Sequence, residues 1–376
     1  MATKKVRLPP LPSVGDLLKL YRLRARKQLA QNFLLDERII NRLVNQVGGI
    51  KNSHVLEVGP GPGGLTRSII KKLPASLTVV EKDRRFKPTL EMLAETLSTV
   101  DGKMNIVYDD ILKTDLTKIF PEECQRQWDW RCPRAYIIGN LPFNVSTHLI
   151  IRWLDLISKR AGPWATGRIK MCLTFQKEVA ERLVAEPQFD QRCRLSVMAQ
   201  TWTTPKLCFT IPGNAFIPKP DVDVGVVTFE PLITPQTEHD FDFFEKFTRH
   251  MFSFRQKYSL ACARTLFPKD YPEDLAVVMF KLADIDPTTR PFQLTVPEID
   301  RLCTAYKYII EKHPTVKDYN YRASKKVLTR AWTKKVYVRE LEEDEEIEDK
   351  ILPDGENDEN YASFCKNSSS RTIEQG

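Results

Sequence analysis

Two short motifs in this chain are equipped for chemistry. The stretch E-V-G-P-G-P-G-G-L-T at 57–66 has the form of a strand that turns through a glycine-rich loop into a helix. Such a loop lets a nucleotide-like ligand approach the backbone closely. The stretch N-L-P-F at 140–143 puts an amide, a backbone carbonyl, a proline and an aromatic ring in sequence. That order suits a planar exocyclic amine such as the amino group of adenine. Its nitrogen is a poor nucleophile because the lone pair is delocalised into the ring. The Asn140 side-chain oxygen and the Leu141 carbonyl would accept its two hydrogens, favour a pyramidal nitrogen and aim the lone pair at an electrophile. Phe143 would stack on the base, a contact worth about 1–3 kcal/mol. Pro142 would fix the turn and offers no competing N–H. The plainer alternative is an N-x-P turn closing a strand.

The glycine loop has a partner. Glu81 follows Gly59 by 22 residues, at the end of the next apolar stretch, where a carboxylate accepts hydrogen bonds from ribose hydroxyls. Taken alone, this pairing also fits a dinucleotide site. Asp109 and Asp110 follow a third apolar stretch. Asp110 is the better acceptor for a cofactor's adenine amine, because it leads into Ile111 and Leu112, which would flank the ring. The electrophile consistent with both motifs is a sulfonium methyl, as in S-adenosylmethionine. It needs alignment and placed polar groups, not a metal or a covalent nucleophile. The five scattered histidines, at 54, 148, 239, 250 and 313, argue against a zinc site.

The elements that must position these residues are legible as alternating patterns. Apolar runs at 53–58, 77–81, 104–108, 135–139 and 169–175 predict strands. Helical spacing predicts helices over 34–47, from Gly63 to Leu73, around Leu90, Leu93 and Leu97, over 146–158 with Ser146 as its cap, and over 176–186. The alternation predicts a parallel, doubly wound α/β sheet. Two closing strands at 206–211 and 222–229 are joined by a link containing Pro212, Pro218 and Pro220. From about 240 only helical spacing persists, in Phe243, Phe244, Phe247, Met251 and Phe254 and again in Leu275, Val278, Met279 and Leu282. The pattern divides the chain into a basic arm (1–27), an α/β domain (28–233), a small all-helical domain (236–333) and an acidic tail (337–376).

Charge points to a polyanionic partner. The net charge is +8, yet residues 340–376 hold 13 acidic and 3 basic side chains, so the preceding 339 residues carry +18. At the N-terminus Lys4, Lys5, Arg7, Lys19, Arg22, Arg24, Arg26 and Lys27 face a single acid, Asp16. That composition fits a mitochondrial transit segment and equally an arm that touches phosphates. The eight cysteines include no C-x-x-C pair and several sit in apolar stretches, as reduced and mostly buried thiols do. No apolar run is long enough to span a membrane.

Five motifs together resemble the ribosomal RNA adenine dimethyltransferase family: Gln31-Asn32-Phe33-Leu34, Glu57 to Gly64, Val80-Glu81-Lys82-Asp83, Gly139 to Phe143, and Phe216-Ile217-Pro218-Lys219-Pro220. The resemblance runs over about 28–330. Residues 11–34 and L-T-F-Q-K-E-V-A-E-R-L at 173–183 place it nearest a mitochondrial branch. Leu141 stands where the family commonly has a second proline. The resemblance implies a Rossmann-like class I S-adenosylmethionine-dependent methyltransferase domain, followed by the helical domain. It implies dimethylation of two adjacent adenosines in a hairpin loop near the 3′ end of small-subunit ribosomal RNA. It further implies a monomer of the mitochondrial matrix whose partners are that RNA, the small ribosomal subunit and the mitochondrial transcription machinery, with no membrane contact.

Carried over residue by residue, Gln31, Asn32 and Leu34 would border the cofactor from the N-terminal side. Glu57, Gly59, Gly61, Glu81, Lys82, Asp110, Ile111 and Asn140 would complete its pocket. Asn140, Leu141, Pro142 and Phe143 would be catalytic, with Phe216 the second aromatic against the target base. Three other readings stand beside this one. A nicotinamide-dependent oxidoreductase accounts for 57–81 but not for 140–143. A DNA adenine methyltransferase shares the chemistry. A transcription or ribosome-assembly factor could use the same fold without turnover.

The charge split has a measurable consequence. An acidic tail competes with RNA for the basic body, so deleting 340–376 should tighten RNA binding at low salt and have little effect at high salt. Filter binding across a salt series measures both.

Overall fold

The computed structural model describes residues 9, 12–20, 25, 29, 31–268, 271–317, 319 and 321. Most of the basic arm, the end of the expected helical domain beyond 321, and the acidic tail lie outside the described residues.

The chain begins with α1 (Val14–Leu20), β1 (Phe33–Leu34), α2 (Glu37–Val44), β2 (His54–Val58), α3 (Gly64–Ile70), β3 (Ser76–Val80), α4 (Lys87–Ser98) and β4 (Lys103–Val107). Then come β5 (Ala135–Gly139), α5 (Phe143–Ser158), β6 (Lys170–Gln176), α6 (Lys177–Val184), α7 (Arg194–Trp202), β7 (Thr203–Ile211), β8 (Phe216–Ile217) and β9 (Val224–Pro231). Among the described residues four α-helices follow: α8 (Phe241–Met251), α9 (Ser259–Ala263), α10 (Leu275–Ala283) and α11 (Val296–Lys312).

Seven strands form one sheet in the order β4-β3-β2-β5-β6-β9-β7. The first five run parallel, and β9 runs antiparallel to both its neighbours. β1 and β8 make a separate two-stranded pair, Phe33 opposite Ile217 and Leu34 opposite Phe216. The strand order reverses between β2 and β5, the place where doubly wound sheets open a crevice at their carboxyl ends.

Strand alternation sends side chains to two cores. Leu56, Val58, Ile137 and Leu173 face α5 and α7, and in the same cluster lie Phe244 and Phe247 of α8, Met279 of α10 and Ile299 of α11. The C-terminal helices therefore share the core of one sheet face. Val55, Leu77, Val79 and Cys172 face α2, α3 and α4 on the other.

Several local expectations shift. Leu34, expected to open a helix, lies in β1; α2 starts at Glu37, where Asp36 accepts hydrogen bonds from the N–H groups of Arg38 and Ile39. Ser146 is not a cap. α5 begins at Phe143 behind Pro142, and Ser146 is buried in the first turn, donating its hydroxyl to the Phe143 carbonyl. Phe254 lies beyond α8 and is exposed. α7 has no counterpart among the predicted elements: Ser196, Val197, Met198, Ala199, Thr201 and Trp202 are all buried, so it shows no polar face to give a period.

Arg192 joins the α6–α7 connection to the C-terminal helices. It is fully buried and donates to the carbonyls of Ala185 and Leu294 and to the Gln200 side chain. Burial lowers its pKa to about 10, so the guanidinium stays charged at neutral pH. Replacing it by leucine removes the donor from the Leu294 carbonyl and the Gln200 side-chain oxygen in a dry site, while the Ala185 carbonyl keeps the Gln200 Nε2. Arg192→Leu should cost about 3 kcal/mol, read as a lower urea midpoint.

Candidate active site

The functional side chains meet because two loops leave the sheet side by side. β2 and β5 are in register, Val58 opposite Gly139. Gly59 and Asn140 are thus the first residues past the same edge. Gly139 lets the strands pair closely here, since a Cβ would sit 3.1 Å from the Val58 carbonyl oxygen, a tight contact. Glu81 is the first residue past β3. Gly63 ends the loop with φ +86 as it caps α3, a conformation other residues resist.

One cavity collects almost every residue expected there. Gln31, Asn32, Leu34, Gly59, Gly61, Glu81, Lys82, Asp110 and Ile111 line it, together with Asn140, Leu141, Pro142, Phe143 and Phe216. Glu57 is the exception and corrects the expectation. The period of two turns it away from the cavity, onto the α2–α3 face beside Thr66, where it is 1% exposed. Burial pushes its carboxyl up to about 8.

Glu81 faces the cavity with both oxygens anchored. Oε2 accepts from the Gly61 N–H at 2.9 Å and Oε1 from the Asp83 N–H at 2.7 Å. Burial raises its pKa to about 7, with those two N–H groups restraining the rise. Asp83 in turn holds Arg85 and accepts from Gln31 Nε2 at 3.1 Å, which fastens the N-terminal segment to the end of β3. Across the cavity, Asp110 accepts from the Leu112 N–H and pairs with Lys82 at 2.8 Å. Burial opposes its charge, but Lys82 and that N–H prevail and hold its pKa below the usual value. Asp109 is committed to its own loop, through the Asp110 N–H and the Thr114 hydroxyl.

Asn140 is fixed at both ends of its amide. Nδ2 donates to the Asn32 carbonyl at 3.1 Å, and Oδ1 accepts from the Thr174 hydroxyl at 2.9 Å. An amide oxygen accepts twice, so one acceptor position on Oδ1 is left over. Phe143 stands in the first turn of α5, and Phe216, buried in β8, comes up against Leu34 of β1. Sequence reasoning missed Thr174 and Asp83 as supports. The available signal for Thr174 was a lone hydroxyl inside the apolar strand 169–175.

This strand order and this pair of loops define a class I methyltransferase fold. The residues present fit a nucleoside cofactor: a glycine loop in the cavity wall and a cavity-lining carboxylate hydrogen-bonded to that loop. The chain belongs to the ribosomal RNA adenine dimethylase family, whose model matches residues 22–275. It is 50% identical over 318 residues to dimethyladenosine transferase 1, mitochondrial, of Xenopus tropicalis, covering 85% of this chain and 91% of that one. The human protein of that name is 50% identical over 316 residues, covering 84% and 90%. A dimethyladenosine transferase from Plasmodium falciparum has the same fold, with a TM-score of 0.56 at 21% identity over 73% of this chain and 96% of that one. So does the 23S rRNA methyltransferase ErmE, at 0.51 and 20% over 73% and 100%.

If Glu81 receives the two ribose hydroxyls, it does so best as a carboxylate, since protonation turns one of its acceptor positions into a donor. Affinity for S-adenosylmethionine should therefore rise by about ten-fold from pH 6 to pH 8. Glu81→Gln should bind more weakly and lose most of that dependence. Calorimetric titration of both proteins across the range checks it.

Proposed function

We infer that this chain transfers methyl groups from S-adenosylmethionine to N6 of two adjacent adenosines in a hairpin loop near the 3′ end of mitochondrial small-subunit ribosomal RNA. The observation that carries the reading is the meeting of Asn140, Leu141, Phe143 and Phe216 with Glu81 in one cavity. When bound, the cofactor supplies an electrophilic methyl on sulfur, which keeps the electron pair of the bond that breaks. The chain supplies alignment. Gly59, Gly61 and Glu81 hold the nucleoside end, and Lys82, Asp110 and Ile111 border its base. Gln31, Asn32 and Leu34 close the N-terminal side.

On the other side, a flipped-out adenine would lie between Phe143 and Phe216. Its amine would donate one hydrogen to Asn140 Oδ1 and the other to the Leu141 carbonyl, leaving the nitrogen lone pair facing the methyl. The methylated nitrogen is far more acidic than the amine and passes its proton to water. A base inside a duplex cannot reach such a cavity, which favours loop adenines. Residues 28–233 act as the methyltransferase domain. The segment 236–333, with the basic arm, binds the RNA. The site of action is the mitochondrial matrix, on the assembling small ribosomal subunit. Contact with the transcription machinery is a second role that leaves this chemistry intact. A purely non-catalytic factor would have no use for an acceptor pair fixed beside a cofactor cavity.

Asn140→Ala removes one of the two acceptors. It should lower methyl transfer to an RNA hairpin by about 10³-fold while RNA affinity changes less than two-fold. Tritiated-methyl incorporation and filter binding on the same preparation measure the two effects.

A further inference from the structure

β6 carries one residue out of character. Met171, Cys172, Leu173 and Phe175 are apolar and fully buried, and Thr174 among them is also 0% exposed. A β-branched residue suits a central strand, but valine would suit it as well. The difference is a hydroxyl, and a hydroxyl in a dry place must be satisfied. Both of its bonds go to the catalytic loop. Thr174 Oγ1 accepts from the Leu141 N–H at 3.0 Å and donates to Asn140 Oδ1 at 2.9 Å. The register makes this possible: Leu173 lies opposite Gly139, so Thr174 comes level with Asn140 where β5 ends.

The hydroxyl has one proton. That proton goes to Asn140 Oδ1, because the Asn32 carbonyl can only accept and therefore takes the amide nitrogen, leaving the oxygen toward Thr174. The arrangement settles which way the Asn140 amide faces, with its nitrogen toward the Asn32 carbonyl and its oxygen toward Thr174. It also takes one of the two acceptor positions on Oδ1. Only one then remains for a target amine, whose second hydrogen must go to Leu141.

We propose that Thr174 is a positioning residue that sets Asn140 and Leu141 so that each accepts one hydrogen of the target amine. The proposal rests on the reading of those two groups as the acceptors. It has a distinctive corollary. An unmethylated amine has two hydrogens and is held twice. A monomethylated amine has one hydrogen and is held once, so a misplaced acceptor has no second contact to compensate for it. Loss of the Thr174 hydroxyl therefore harms the second transfer more than the first.

The experiment uses the full chain, S-adenosylmethionine and an RNA hairpin with adjacent loop adenosines. Thr174→Val, Thr174→Ser and Asn140→Ala are compared with the parent in single-turnover transfer, cofactor binding and product analysis by nucleoside mass spectrometry. Thr174→Val should slow transfer by about 10–100-fold. Its cofactor affinity should stay within about two-fold, consistent with a residue that does not touch the cofactor. N6-monomethyladenosine should accumulate, and Thr174→Ser should restore both rate and product ratio. A Thr174→Val protein with the parent's rate and product ratio overturns the proposal. So does a loss that tracks weakened cofactor binding or that serine fails to repair, because the residue would then be merely structural. Asn140→Ala separates the two layers. If it is inactive while Thr174→Val is fully active, only the role of Thr174 falls; if it is active, the acceptor reading falls and takes the proposal with it.

Discussion

The site depends on the close parallel pairing of β2 with β5. Two loops of different chemistry, one built to cradle and one built to accept hydrogens, begin at the same height because Val58 and Gly139 are paired there. The pairing leaves little room for a side chain at 139. A slip of one residue would turn every core side chain of β5 to the wrong face, so the apolar pattern and the active geometry are locked by one register. What lies outward of that edge is anchored to it: Asn140 through Thr174 of β6, Glu81 through the Gly61 N–H, and the segment at 31–34 through Asn140 and Asp83.

Much of this was legible in the sequence, for identifiable reasons. The strands of the parallel sheet announce themselves because both their faces are buried, which writes continuous apolar runs such as A-Y-I-I-G. The glycine loop and N-L-P-F were legible because their residue types have narrow uses. What escaped was anything set by distant partners. The β1–β8 pair joins two-residue strands over 180 positions apart, too short to carry a period. α7 is buried almost all round and shows no amphipathic stripe. Glu57 shared a motif with real cavity residues, and only strand alternation, seen in place, turns it away. Ser146 looked like a cap because it follows a proline turn, but the helix starts at Phe143 and absorbs it.

The two buried carboxylates at the ends of β2 and β3 carry an electrostatic cost. Glu57 and Glu81 titrate near 8 and 7 in the folded chain, above the ordinary 4.5, chiefly because both are buried. Between 4.5 and those values the folded chain holds more protons than the unfolded one. Their contribution to stability therefore falls as pH rises through that window. A carboxylate ready to receive ribose hydroxyls is thus kept where ionisation is disfavoured, and the N–H groups of Gly61 and Asp83 offset part of that penalty.

The ribbon made by β1 and β8 has a mechanical meaning. Its first strand continues from Gln31 and Asn32, its second contributes Phe216, and all three line the same cavity. The pairing ties the segment at 31–34 to the segment at 216–217 on the wall of one cavity. Ile217 is paired with Phe33, and the residue before Phe33 holds the Asn140 amide through its carbonyl, so the ribbon and the catalytic-loop amide are tied to one stretch of chain.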